Sequence, residues 1–319
     1  MASFDYFIRH NQSVEYLPVL SNILLALNLG GIIAIIVIGS RVSKKLLYPI
    51  KAMTHTVKEI SFNALDKRLD VSGSKDELKD LSQTFNEMLD RIQKSAEQQN
   101  QFVSDASHEL RTPLAIIQGY ANLIERWGID ERQVLEESIT AISGEADSMK
   151  ELIEDLLFLA RGDNNLQGID KQNFLLNQII DDTIRETRLI DENHTILSEQ
   201  NEEFTICADK NLIKEALRIF LDNSIKYTPP GGTIKLNSIK KARTAVISIV
   251  DTGCGISAED LPHIFNRFYR ADKSRTKQRG GTGLGLAIAK WIIDNHNGKV
   301  EVHSVLNSGT AIKIELPAI

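Results

Sequence analysis

The hydrophobic pattern of the chain changes its period along the way. From Tyr16 to Ser40 no residue is charged, and Ile32 to Ile38 is almost entirely aliphatic. About 20 apolar residues in a helix cross a bilayer core. The stretch therefore predicts a membrane-spanning helix at 16–40, behind a short polar and aromatic tail at 1–15. A signal peptide is the competing reading, but the run is long for an h-region and Gly39-Ser40-Arg41 is a poor cleavage site. Arg41, Lys44, Lys45 and Lys51 follow the run and only Arg9 precedes it, which predicts a single pass into the plasma membrane with the body in the cytoplasm. So short an outer tail leaves little room for a ligand-binding domain, and the numbered chain is expected to begin partway through a longer protein.

Helical periodicity follows. Residues 41–94 predict two short helices and a connector. The first carries Ile50, Met53, Val57 and Ile60 just after Pro49, the connector runs from Phe62 to Ser74 with Gly73, and the second carries Leu78, Leu81, Phe85, Met88 and Ile92. The spacing 3, 4, 3, 4 is a coiled-coil seam. Placed directly after a membrane span, with Pro49 and Asp76-Glu77 where expected, this segment resembles a HAMP domain, a parallel four-helix relay. The seam slips from Ile92 to Ala96 and resumes through Gln99, Val103, Ala106 and Leu110; such a stutter unwinds a coiled coil locally.

Residues 95–163 predict a helical hairpin. One helix runs from Gln99 to Arg126, Trp127 to Asp130 breaks it, and a second runs from Glu131 to Arg161 with Val134, Leu135, Ile139, Ile142, Met149, Ile153, Leu156, Leu157 and Leu159 on its apolar side. An antiparallel pair cannot bury a full face alone, so two chains are expected to pair into a four-helix bundle. Gly162-Asp163-Asn164-Asn165 reads as the helix end and a linker.

In 164–319 helical and strand periods alternate. Helices are expected at Leu175–Leu189, after Asp209 as N-cap to Lys226, and at Gly283–Asn295. Strands are expected at Thr195–Glu199 and Phe204–Cys207, with hairpins at Thr233–Ile239 with Ala245–Val250 and at Lys299–Ser304 with Thr310–Leu316. That predicts an α+β sandwich with helices on one face of a mixed sheet. The whole chain is then multidomain: a transmembrane helix, an all-α relay and dimerisation hairpin, and the sandwich.

Composition narrows the chemistry. A net charge of −6 gives no overall basic face, so no nucleic-acid partner is expected. Cys207 and Cys254 lie far apart, and the histidines lack paired zinc spacing.

Candidate chemistry falls in four places. In Ser107-His108-Glu109-Leu110-Arg111-Thr112-Pro113, His108 lies about 200° from Ala106 and about 160° from Leu110 on a helix, so it points away from the seam. Pro113 cannot donate to Glu109 O, which should loosen or bend the helix there. An exposed imidazole beside a carboxylate is an available nucleophile with a base at hand; by itself, the pair is an ordinary surface feature. Asn223, in Asp222-Asn223-Ser224-Ile225-Lys226-Tyr227-Thr228, offers an amide oxygen suited to Mg²⁺, and Lys226 offers a charge for phosphate. Asp251-Thr252-Gly253-Cys254-Gly255-Ile256 follows an apolar strand; a buried carboxylate can accept from an amino-purine while the glycines let its ring approach. Gly280-Gly281-Thr282-Gly283-Leu284-Gly285-Leu286 opens a helix and exposes amides to phosphate. The stretch Asp272 to Gly280 between them carries Lys273, Arg275, Lys277 and Arg279 as a basic lid. Each cluster alone is weak; all of them in this order are specific.

Together they resemble the sensor histidine kinases of two-component systems: an H box at His108, an N box at Asn223, G boxes at Asp251–Ile256 and Gly280–Leu286, and an F box at Phe265-Asn266-Arg267-Phe268-Tyr269-Arg270. The resemblance implies a Bergerat-type ATP-binding domain, a homodimer, autophosphorylation of His108 within or between subunits, and transfer to an aspartate of a response-regulator receiver. It implies Mg²⁺ on Asn223, the adenine amino group on Asp251, and the γ-phosphate near Arg270. Glu109 would be the proton acceptor, and Thr112 would serve regulator dephosphorylation. Lys226, Tyr227, Gly253, Gly255, Ile256, Gly281, Thr282, Gly283, Leu284, Gly285, Leu286 and Thr310 complete the expected ATP site. The chain departs from the pattern at Ile219, where many members carry a second Asn and related ATPases a catalytic Glu; an ATP hydrolase of the gyrase class or a non-catalytic scaffold are the alternatives.

Overall fold

A computed structural model describes residues 2–59, 66–69, 77–127, 131–163, 167–271 and 281–319. The chain forms two compact units, Met1–Gln101 and Phe102–Ile319. The lid residues Lys273, Arg275, Lys277, Arg279 and Gly280, with Gly73, Asp76, Gly128, Asn164 and Asn165, lie outside the described residues.

In the first unit, α1 spans Ala2–Glu59 without a break, so the expected polar tail is itself helical from Ala2. Its segment Pro18–Lys44 has a mean hydropathy of 2.5 and is long and apolar enough to cross a membrane. At 1.5 Å per residue it measures roughly 40 Å, more than a bilayer core. The connector packs on the next helix through Leu69, which is 3% exposed. Leu69 N–H donates to Asn86 Oδ1 at 2.9 Å, and Asn86 Nδ2 donates to Leu69 O at 3.0 Å. Arg68 donates to Asp90 Oδ1 and Gln93 Oε1 beside them. These bonds turn Asn86 and Leu89 inward and leave Leu81, Met88 and Ile92, three members of the expected seam, exposed on the single chain.

Helix α2 spans Glu77–Trp127 and α3 spans Arg132–Asp163. The separately expected helices at Leu78–Ile92 and Gln99–Arg126 are thus one element: no Gly or Pro stands between residues 77 and 112 to end it. Pro113 lies inside α2, which continues through it. Helix α3 ends at Asp163, inside the expected Gly162–Asn165 cluster, and Gly162 itself is buried: a Cβ there would stand 2.6 Å from Trp291 Cε2, so it also provides close packing.

The sandwich begins with β1 (Gln172–Leu175), a strand the sequence pattern missed, and α4 (Leu176–Ile190). It continues with β2 (Thr195–Leu197), β3 (Thr205–Ala208), α5 (Lys210–Tyr227), β4 (Thr233–Lys241) and β5 (Thr244–Asp251). It closes with α6 (Gly285–Asn295), β6 (Lys299–Val305) and β7 (Gly309–Pro317). Asp209 caps α5 as expected, accepting from Asn211 N and Leu212 N. The main sheet has the order β2-β4-β5-β7-β6, with β2 parallel to β4 and the other neighbours antiparallel. β1 and β3 form a separate antiparallel pair.

The core lies between one sheet face and α4, α5 and α6. Ile234 and Leu236 of β4, Ile247 and Ile249 of β5, and Ile312 and Ile314 of β7 alternate onto that face, where Phe220, Leu217 and Leu221 of α5 meet them. In register, Ile234 stands opposite Asp251 and Asp251 opposite Thr310. Asp251 therefore occupies the last core-facing position of β5, and strand alternation alone buries it.

Phe220 is fully buried and among the largest closed side chains of the core. Phe220→Ala is expected to lower the unfolding free energy of this unit by about 3–5 kcal/mol in urea titration; a loss below ~1 kcal/mol would contradict this view of the core.

Candidate active site

The site is built around the end of β5. Asp251 is 7% exposed. Its Oδ1 accepts from Gly253 N–H at 2.9 Å and Thr310 N–H at 3.1 Å, and its Oδ2 accepts from Ser224 Oγ–H at 3.2 Å. Three donors from the following turn, β7 and α5 thus hold a carboxylate that burial would otherwise disfavour. Glycine is needed around it. Gly309, at φ +106°, would drive a Cβ into the Asp251 carbonyl, and a Cβ on Gly253 would stand 2.6 Å from Tyr227 O. Gly255, at φ +67°, lies against Val305, and Ile256 N–H donates to Ser304 Oγ at 2.8 Å. Ser304 Oγ also meets Thr310 Oγ1 at 2.9 Å, so the turn after Asp251 is fixed to the β6–β7 hairpin.

Beside this turn is the last stretch of α5. Asn223 Nδ2 donates to Ile219 O at 2.8 Å, which leaves the amide oxygen as the atom available to a cation. Lys226 Nζ lies 5.4 Å from the centre of the Tyr227 ring and next to Gly281, where a Cβ would collide with it. Lys226 and the glycine loop, 55 residues apart in number, are therefore neighbours. Gly281 and Gly283 have φ of +119° and +74°, and α6 begins at Gly285. Leu284 is buried beneath that helix start, Leu286 is half-buried, and Gly285 packs on Ile219, whose Cγ2 would lie 3.2 Å from a Cβ. The departure at Ile219 puts a methyl group there and no base.

The expected nucleophile is on α2. His108 is exposed and lines a shallow groove with Arg111, Thr112, Ala115 and Ile116. Thr112 Oγ1 approaches His108 O at 3.5 Å. Glu109 is half-buried and accepts at Oε2 from Arg270 Nη2 at 2.9 Å, joining the histidine helix to the residues between β5 and α6. Arg270 Nε is buried with no hydrogen-bond partner among the described residues.

Around this ion pair lies a contact that sequence reading missed. Arg267 grips Asp163 with two nitrogens, at 2.8 and 2.6 Å, and lies 5.1 Å from the Phe102 ring centre. Phe268, at φ +59°, is strained for a bulky side chain. Its N–H donates to Gly283 O at 2.9 Å and its ring sits 6.0 Å from that of Phe102. Tyr269 OH donates to Asp260 Oδ1 at 2.7 Å. Thr282 Oγ1 donates to Asp155 Oδ2 at 3.2 Å. Burial pushes the Asp155 carboxyl up from 3.8 to about 6, against the bond from Thr282, and Glu215, Glu151 and Glu154 add to the rise. A carboxylate between Leu152 and Leu159 on the inward side of α3 was the signal available in the sequence.

Comparison with known proteins agrees with this architecture. Residues 41–94 match the HAMP domain family, 98–165 the His Kinase A (phospho-acceptor) domain, and 208–319 the histidine kinase-, DNA gyrase B- and HSP90-like ATPases. Sensor histidine kinase YkoH of Bacillus subtilis (strain 168) is 38% identical over 308 residues, 96% of this chain and 67% of that protein. Signal transduction histidine-protein kinase ArlS of Staphylococcus aureus (strain USA300) is 38% identical over 290 residues, 89% of this chain and 64% of that protein. The chain thus spans about two thirds of the length of these relatives. Two solved structures share the fold: Acinetobacter baumannii histidine kinase AdeS, with TM-score 0.52 at 24% identity over 66% of this chain and 97% of that one, and histidine kinase ThkA in complex with response regulator protein TrrA, with TM-score 0.56 at 23% identity over 76% and 68%.

Asp155 gives a pH test. Its carboxyl holds a proton in the folded chain that the unfolded chain releases between about pH 4 and 6, so its contribution to stability falls as pH rises through that window. Asp155→Asn is expected to match the parent near pH 4 and to melt at a higher temperature above pH 6, seen in thermal melts from pH 4 to 7. A parent that gains on the variant as pH rises would contradict the assignment.

Proposed function

The chain belongs to the sensor histidine kinases, and we propose that it moves the γ-phosphoryl group of Mg-ATP to His108 and from there to an aspartate of a response-regulator receiver. The observation that carries this reading is the 2.9 Å bond between Arg270 and Glu109: it joins the neighbour of an exposed histidine to the edge of a glycine-walled pocket with a buried acid.

In the proposed reaction, Asp251 accepts from the adenine amino group. Gly253, Gly255 and Ile256 line the ring, and Tyr227 and Thr310 flank it. Amides of the Gly281, Thr282, Gly283, Leu284, Gly285 and Leu286 loop meet the phosphates at the start of α6, with Lys226 adding charge. A ring nitrogen of His108 attacks the γ-phosphorus, the bond to the β-bridging oxygen breaks, and ADP leaves. Glu109 takes the proton released from the ring, and Arg270 balances charge on the transferred oxygens. Thr112 serves regulator dephosphorylation.

In the described conformation Glu109 and Arg270 neutralise one another. Both act only once that pair parts, so this is a resting arrangement. Asn223 suits Mg²⁺ through its amide oxygen. When bound, the ion offsets phosphate charge.

We divide the chain as a tail at 1–15, a membrane helix at 16–40, a relay at 41–94, a phosphotransfer hairpin at 95–163 and an ATP-binding domain at 164–319. The exposed stripes Leu81, Met88 and Ile92 on α2 and Ile139, Ile153 and Leu157 on α3 support a homodimer. Arg41 and Lys44 at the end of the apolar segment support a cytoplasmic body and a membrane anchor.

Protein loaded with γ-labelled ATP and freed of nucleotide is expected to pass its label to one among a panel of receiver domains. His108→Gln should bind ATP yet carry no acid-labile label, and label persisting on that variant would overturn the reading. Glu109→Gln is expected to slow labelling by about 10²-fold or more in a rapid-quench time course; an unchanged rate would remove Glu109 as the base.

A further inference from the structure

His194 stands in the loop between α4 and β2, outside the groups used above, with a side chain 6% exposed. Its Nδ1 is 2.8 Å from Asp191 Oδ2 and its Nε2 is 3.0 Å from the Thr228 carbonyl oxygen. Both partners are oxygens, so the ring bridges the Asp191 side chain and the Thr228 backbone. His296 shows the contrast. There Nδ1 donates to Ile292 O at 2.7 Å while Nε2 accepts from Asp209 N–H at 2.9 Å, a pattern a neutral ring satisfies. His194 is therefore placed between two oxygens, Asp191 Oδ2 and Thr228 O.

What it clamps is the end of α5. The last carbonyls of a helix lack partners within it. Here Tyr227 O accepts from Cys254 N–H at 3.0 Å, and Thr228 O accepts from His194. Cys254 belongs to the turn after Asp251, so the final turn of α5 is held by that turn on one side and by His194 on the other. The same loop takes two more bonds: Gly231 N–H donates to Asn193 O at 2.8 Å, and Thr195 N–H donates to Gly232 O at 2.9 Å. Residues 193–195 thus bind residues 228–232 with three hydrogen bonds, and the only side chain among them is the imidazole.

We propose that His194 is a positioning residue of the nucleotide pocket: oriented by Asp191, it fixes the Thr228 carbonyl and with it the last turn of α5, where Asn223 and Lys226 stand. The inference rests on the nucleotide-site reading above. Its effect is on where the α5 groups meet the phosphates, and misplacement by about 1 Å can cost a site up to 10²-fold.

The test is autophosphorylation by the full chain at varied ATP. His194→Leu is expected to raise the KM for ATP about tenfold, as loss of one buried hydrogen bond does, with a smaller fall in rate at saturating ATP. His194→Gln, whose amide N–H still extends toward Thr228 O, is expected to stay within about threefold of the parent, whereas the shorter His194→Asn should follow the leucine variant. If circular dichroism shows the leucine variant unfolded, the glutamine and asparagine variants decide. A parent-like KM in His194→Asn, or equal losses in His194→Asn and His194→Gln, overturns the proposal. Absence of ATP binding by the parent in calorimetry sinks the nucleotide-site reading and this inference together; intact parental binding with a failed comparison sinks the inference alone.

Discussion

A carboxylate closed off from water at the end of β5 sets the terms for the rest of the sandwich. Strand alternation buries Asp251, and a buried polar group is tolerated only where hydrogen-bond partners surround it. Those donors come from three places: Ser224 on α5, Gly253 in the following turn and Thr310 on β7. Satisfying one acid therefore brings together the helix, the turn and the hairpin around the end of β5. The glycines follow from the same constraint. At Gly253 and Gly309 a side chain would collide with the backbone around the acid.

The histidine end obeys the opposite demand. The proposed nucleophile has to remain open, and His108 projects from α2 into a shallow groove. Contact with the sandwich falls on its neighbours. Glu109 meets Arg270, and below it Asp155 meets Thr282 and Asp163 meets Arg267. Phe102 with Phe268 and Phe158 with Trp291 add ring packing between the same surfaces. The two ion pairs are only partly exposed, and each is weak beside the apolar packing around it. On the proposed reading, that histidine has to reach both a nucleotide and a second protein.

The two hairpins of the sandwich, the Asp209 cap and the clusters at His108, Asn223, Asp251 and Gly281 were legible in the sequence because each carries a local signal: a period of two, an acid before a helix, or glycines closely spaced. What was illegible depends on partners far along the chain. Nothing local marks Gly162 as packed on Trp291 or Asp155 as the partner of Thr282. β1 spans only four residues, too few to show a period. The change in seam phase masks the continuity of Leu78–Ile92 with the histidine helix, although no residue there stops a helix. His194 carries no motif at all; only its two oxygen partners distinguish it.

The most direct test of the central claim is to locate the phosphoryl group. After incubation of the full chain with Mg-ATP, tandem mass spectrometry under neutral handling should find phosphate on the imidazole of His108, stable to base and lost in acid. Phosphate on a hydroxyl side chain, or an unmodified His108 in protein that has bound and turned over ATP, would contradict the account.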